Sequence, residues 1–199
     1  MKNGHLAISD ATFDSCAAEY GGSVYLDKCS RFEVLRTVFL NSSANRFGVG
    51  FMTAKGNSVI ETTNVTGSKA SYIGGLRIDF VPIRIRDCSF SRCESELYGA
   101  LWDWSHFKDP IAVELSRFTN NTSNTWGSCF TGFHWEHNSV FKRCEFVMSF
   151  HSVLVYSMDA TCVFDECVFA GQRSDEIFVR FDSSVVECRN TTFTKNSFR

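Results

Sequence analysis

The chain is 199 residues long, 44% hydrophobic, and carries a formal charge of −2. That length and apolar content suit one domain, residues 1–199, with a sizeable core. The near-neutral balance gives no reason to expect nucleic acid or an anionic surface as partner, and no apolar run reaches the ~20 residues of a membrane span, so membrane insertion is not expected. A basic segment followed by an apolar one, the mark of a secretory leader, is not present either.

Twenty Phe stand against two Pro, so one large flat residue is required again and again. In chain order the first is Phe13, with Leu6 seven before it, Ile8 five before and Ala11 two before. The same frame returns at Phe39, Val65, Phe90, Phe118, Phe146, Phe169 and Phe193, in steps of 26, 26, 25, 28, 28, 23 and 24 residues. Seven before these anchors stand Phe32, Ser58, Ile83, Ile111, Ser139, Cys162 and Val186; five before stand Val34, Ile60, Ile85, Val113, Phe141, Phe164 and Cys188. That alternation predicts a short strand with one face inward. Pro82 and Pro110 both fall eight before an anchor, at the strand start, where a missing N–H is tolerated.

Two before the anchors every residue is small: Thr37, Thr63, Cys88, Ser116, Cys144, Cys167 and Thr191 follow Ala11. Beyond each anchor comes an aromatic or aliphatic residue followed by Gly, as in Tyr20-Gly21, Phe47-Gly48, Ile73-Gly74, Tyr98-Gly99 and Trp126-Gly127. A second apolar run then begins, for example "SVYL", "GFMTA", "GLRIDF" and "ALWDW".

A unit of about 25 residues with short strands, no helical period and the same residue type in the same slot has an economical solution. The predicted fold is all-β: a right-handed parallel β-helix, a solenoid of 7–8 rungs in one domain, with like residues stacked about 4.8 Å apart. One turn cannot bury its inward face alone, so each must offer the next a matching Phe, small residue and Gly corner. The rod would be about 35 to 40 Å long. A leucine-rich repeat has a similar period, but its LxxLxLxxN pattern does not occur.

The stretches "GGSV", "GGLR" and "GALW", paired with "FLNSSA" and "FTNNTS" downstream, resemble degenerate copies of the GGA(I/L/V)…FxxN repeat of the polymorphic outer-membrane-protein (Pmp) type, within the pectin-lyase-like β-helix group. The resemblance covers nearly the whole chain and lapses at residues 151–155 and 177–181, where the Gly motif is lost. It implies surface adhesion or display, and with it an extracellular or cell-surface location.

Nine Cys cannot all pair internally. Cys88, Cys144 and Cys167 share the small slot, Cys16 and Cys93 lie three past their anchors, and Cys162 and Cys188 fall in strand slots. That distribution predicts a cysteine ladder of small buried groups. Cys144 and Cys167, in one slot on adjacent rungs, would have a Cα separation near that of a disulfide. No tetrahedral ligand set presents itself, so neither metal nor cofactor is expected. Asn41, Asn64, Asn120, Asn121 and Asn190 open N-x-S/T sequons, a weak pointer to export.

The two 28-residue steps place their excess at residues 103–110 and 132–139. Loops there, on neighbouring rungs, would form a raised wall with His106 beside His134. Trp102, Asp103, Trp104, Trp135, Glu136 and His137 complete the candidate ligand-binding set, with Asp79 and Asp159 on the flanking rungs. Aromatic faces suit sugar C–H surfaces and carboxylates suit hydroxyls. The expected role is therefore non-catalytic recognition of a carbohydrate or protein ligand, with no catalytic residues assigned. The alternative is a polysaccharide-active lyase or hydrolase using these loops, which needs two carboxylates, or a carboxylate and a His, about 5 to 10 Å apart across an open groove. With no cap recognisable at either end, the strand edges invite end-to-end stacking with further solenoid segments.

Overall fold

A computed structural model describes residues 4–79, 81–105, 111–134, 138–157, 159–173, 177–180 and 182–197. Among the described residues there are 28 short strands and no helix. The strands form four parallel sheets of eight, eight, five and seven strands, each pairing with its counterpart one repeat away. The chain is a parallel β-solenoid. Five described turns carry all four strands; two replace the two-residue third strand by a single bridge at Phe150 or Arg173, and the described part of an eighth has two strands and a bridge at Ser197.

The register follows the repeat. The first sheet pairs the strands preceding each anchor, beginning with Leu6 opposite Phe32 and Ile8 opposite Val34. The second pairs the anchors themselves: Phe13, Phe39, Val65, Phe90, Phe118, Phe146, Phe169 and Phe193. One detail differs from the sequence alignment. Gly21, not Tyr20, bridges to Phe47 and thence to Ile73 and Tyr98, because all four stand eight past their anchors and Tyr20 stands one residue early.

The invariant spacing around each anchor has a backbone cause. Three before the anchors, Asp10, Arg36, Thr62, Asp87, Leu115, Arg143, Glu166 and Asn190 all have positive φ. Two after, so do Ser15, Asn41, Gly67, Arg92, Asn120, Met148, Gly171 and Lys195. Every anchor strand is thus bracketed by two left-handed corners, and an insertion between them would break both. Only two of these sixteen residues are Gly; stacking of one turn on the next holds the rest in a conformation that costs about 1–2 kcal/mol apiece.

The small slot sits just inside the first corner and explains its own chemistry. Thr37 Oγ1 donates to the Leu35 carbonyl at 2.9 Å, Ser116 Oγ to Glu114 at 2.8 Å, and the Cys88 thiol to Arg86 at 3.2 Å. In every described turn after the first, where Ala11 stands, the slot takes a short side chain that carries a donor, and Cys serves there as a substitute for Ser or Thr. Three past the anchor, a second internal ladder clamps adjacent turns. Asn121 Oδ1 accepts from the Cys93 N–H at 3.0 Å while its Nδ2 donates to the Phe90 carbonyl at 3.0 Å. Gln172 repeats the motif with the Ser149 N–H and the Phe146 carbonyl, and Asn196 with the Gln172 N–H and the Phe169 carbonyl.

Inside, the anchors stack face to face, with ring centroids 5.0 Å apart for Phe90 and Phe118, 5.1 Å for Phe118 and Phe146, and 4.7 Å for Phe146 and Phe169. Each fully buried Phe contributes about 2 kcal/mol of transfer free energy. The stack is continuous with one apolar core that runs through the described turns. At the last of them the core opens: Phe193 is 46% exposed and Cys188 is exposed.

Candidate functional site

The fourth sheet, from Val24–Cys29 through Leu101–Ser105 to Phe178–Arg180, positions the side chains with the most chemistry. Val24, Leu76, Leu101, Phe130 and Leu154 belong to the core. By strand alternation the residue after each faces outward, giving the register row Tyr25, Phe51, Arg77, Trp102, Thr131. A second outward row, two residues further on, holds Thr53, Asp79, Trp104 and Phe133. With rings from the Gly corner these make a continuous aromatic face over five turns. Tyr25 lies 5.3 Å from Phe51, Phe51 5.4 Å from Phe47, Tyr72 5.6 Å from Trp102, Tyr98 4.1 Å from Trp102, and Trp102 4.7 Å from Phe133. It is a hydrophobic cluster separate from the core.

At its centre sits an ion pair. The Arg77 guanidinium lies 5.3 to 5.8 Å from the ring centroids of Phe47, Phe51, Trp102 and Trp104. Its Nε donates to Asp79 at 2.8 and 3.0 Å, and a terminal nitrogen lies 2.6 Å from Asp79 Oδ2. Burial raises the Asp79 carboxyl above its ordinary pKa, while Arg77 pulls it back. Two buried polar atoms of this face, Trp102 Nε1 and Thr131 Oγ1, lack a hydrogen-bond partner. They belong to residues opposite one another in register.

The structure divides the residues expected at the site. Trp102 is buried in the aromatic cluster, and Trp104 stays 38% exposed beside it. Asp79 lies opposite Trp104, as expected for a flanking rung. Asp103 does not share that face: it lies opposite Ile78 of the core and is fully buried, so it points into the solenoid. The alternation Leu101-Trp102-Asp103-Trp104 carried that signal, since a strand puts Asp103 on the side of Leu101. The expectation that His106 stacks near His134 assumed an offset of 28; the sheet aligns Ser105 with His134, an offset of 29, and His106 itself lies outside the described residues.

Residues 103–105 and 132–134 extend strands Leu101–Ser105 and Phe130–His134, and the next strand begins at Asn138. The excess over a short turn is thus narrower than 103–110 and 132–139. His106, Trp135, Glu136 and His137 lie outside the described residues, as does the His134 side chain. Asp159 is exposed at a left-handed corner. Sequence reasoning missed Tyr25, Phe51 and Arg77, which a two-face split of the "SVYL", "GFMTA" and "GLRIDF" runs would have found.

None of the nine cysteines is joined in a disulfide. Burial pushes the Cys88 and Cys93 thiols up to about 12 and Cys129 up to about 11, so they are inert groups at neutral pH. Among the described residues no group of three or more His, Cys, Asp or Glu is placed to hold a metal ion. Of the sequon residues, Asn121 is fully buried in its clamp, whereas Asn41, Asn64, Asn120 and Asn190 are exposed. No family model, curated protein or solved structure matches the chain.

Proposed function

We propose that this chain is a non-catalytic recognition scaffold whose aromatic face binds glycan, outside the cell or at its surface, in the manner of the Pmp-type, pectin-lyase-like repeats its Gly motifs resemble. The observation that supports this reading is the run of rings from Tyr20 to Phe133 with the Arg77–Asp79 pair set among them. Tyr25, Tyr20 and Trp104 remain 55%, 43% and 38% exposed. Ring faces take up the C–H surfaces of sugars, and a tyrosine hydroxyl or indole N–H at the ring edge addresses their hydroxyls. Strand stacking repeats these ring positions every ~4.8 Å along the rod, a geometry suited to a linear saccharide lying along the axis.

Nothing observed favours the enzymatic alternative. Asp79 is tied to Arg77 and Asp103 faces inward, so neither of these two carboxylates is presented to an open groove. A glycan-array screen of the wild type beside a Tyr25→Ala/Trp104→Ala double variant tests the proposal. Retained far-ultraviolet circular dichroism checks that the variant keeps its fold. The expected result is saccharide binding that falls at least about tenfold in the variant, equivalent to about 1.4 kcal/mol. Undiminished binding, or capture of proteins but no saccharide by the wild type, overturns it.

A further inference from the structure

Cys144 and Cys167 occupy the small slot on adjacent turns. Strands Glu145–Val147 and Val168–Ala170 pair in register from Glu145 opposite Val168, and the Val168 N–H donates to the Cys144 carbonyl at 2.9 Å. The two cysteines immediately precede that pairing. Residues opposed across neighbouring parallel strands have Cα atoms about 4.8 Å apart, within the 4.4–6.8 Å a disulfide spans. Their side chains point the same way. The Cys144 thiol lies 3.5 Å from the Lys142 carbonyl and 3.4 Å from Val113; the Cys167 thiol lies 3.4 Å from both Asp165 and Phe141. Cys88 has the same slot but cannot join them, because Ser116 occupies the turn between it and Cys144.

We propose that Cys144 and Cys167 close a turn-to-turn disulfide by exchange with a small-molecule disulfide such as oxidised glutathione. Cys167 borders the largely exposed turn Val185–Arg189 and Thr192–Thr194, and its neighbour Cys144 lowers its pKa, so Cys167 attacks first. One reagent S–S bond breaks, one reagent thiolate leaves and takes a proton, and Cys167 carries a mixed disulfide. Cys144 then loses its proton and attacks the Cys167 sulfur, expelling the second reagent thiol. Two electrons pass to the reagent, and the two protons end on the two released thiols. Access comes through local opening of the neighbouring turn, Val185–Arg189 and Thr192–Thr194, whose side chains are largely exposed.

The experiment treats folded protein with oxidised glutathione, alkylates the remaining thiols and maps the peptides. The expected product has seven alkylated cysteines of nine and a peptide linking Cys144 to Cys167. It melts at a higher temperature than the same sample after reduction. Cys144→Ser and Cys167→Ser keep the slot's carbonyl hydrogen bond, as Ser116 does, so both variants should fold. Each should lose the link, with Cys144→Ser retaining glutathione on Cys167. A peptide joining Cys167 to the exposed Cys188, or no linked peptide from folded wild type, overturns the proposal.

Discussion

Asp79 and Arg77 are the residues at which charge, burial and the candidate site meet. Burial raises the Asp79 pKa in the folded chain, so the folded state holds that proton more tightly than the unfolded one. The contribution of such a group to stability is complete below its unfolded pKa and is lost as pH rises through the folded value. Asp10, Glu114 and Glu187, lowered by hydrogen bonds from Arg36, Arg84 and Arg189, act in the opposite sense, losing stability as pH falls through their folded values. The wild-type profile mixes both signs, but its difference from Asp79→Asn isolates one. In urea unfolding, the wild type should gain on the variant as pH falls from 7 toward the ordinary carboxylate value. A difference that stays flat, or runs the other way, would mean that Arg77 outweighs burial.

At the scale of the element, the corners carry the specificity. Positive φ at the two corners around each anchor fixes the strand between them. The Gly corner solves a different problem. Gly99 has no left-handed backbone, but a Cβ there would fall inside the contact radius of the Ser128 carbonyl of the next turn. Only Gly allows the two backbones to approach so closely. Gly99→Ala should therefore cost about 3 kcal/mol, through overpacking against a carbonyl that cannot rotate away. Thermal unfolding reads this directly, and a neutral result would show that the turns can separate there at no cost.

Across the whole molecule, stability is a sum over neighbouring turns. Phe118 is buried between Phe90 and Phe146 at ring distances of 5.0 and 5.1 Å, whereas Phe193 stacks on Phe169 on one side and meets Phe178 only edge-on at 6.4 Å. Phe118→Ala should cost about 3–5 kcal/mol. Phe193→Ala, in the same slot but half exposed, should cost under about 2 kcal/mol. Equal losses would mean that the last described turn is covered in solution by a further solenoid segment or a second copy.

The repeat determined the architecture by itself, because stacking demands that each turn present the residue types its neighbours present. The anchors, the small slot and the strand before them were legible for that reason. What only the tertiary structure decided was local register and facing. One residue of slip at the Trp126 corner set Ser105 against His134, and no count of repeat length locates such a slip. The same applies to the aromatic face. Tyr25, Phe51, Arg77 and Trp102 are some 25 residues apart in sequence, and only the pairing of successive turns brings four rings around one guanidinium. Periodicity states that residues stack; backbone pairing states which ones, and on which side of the wall.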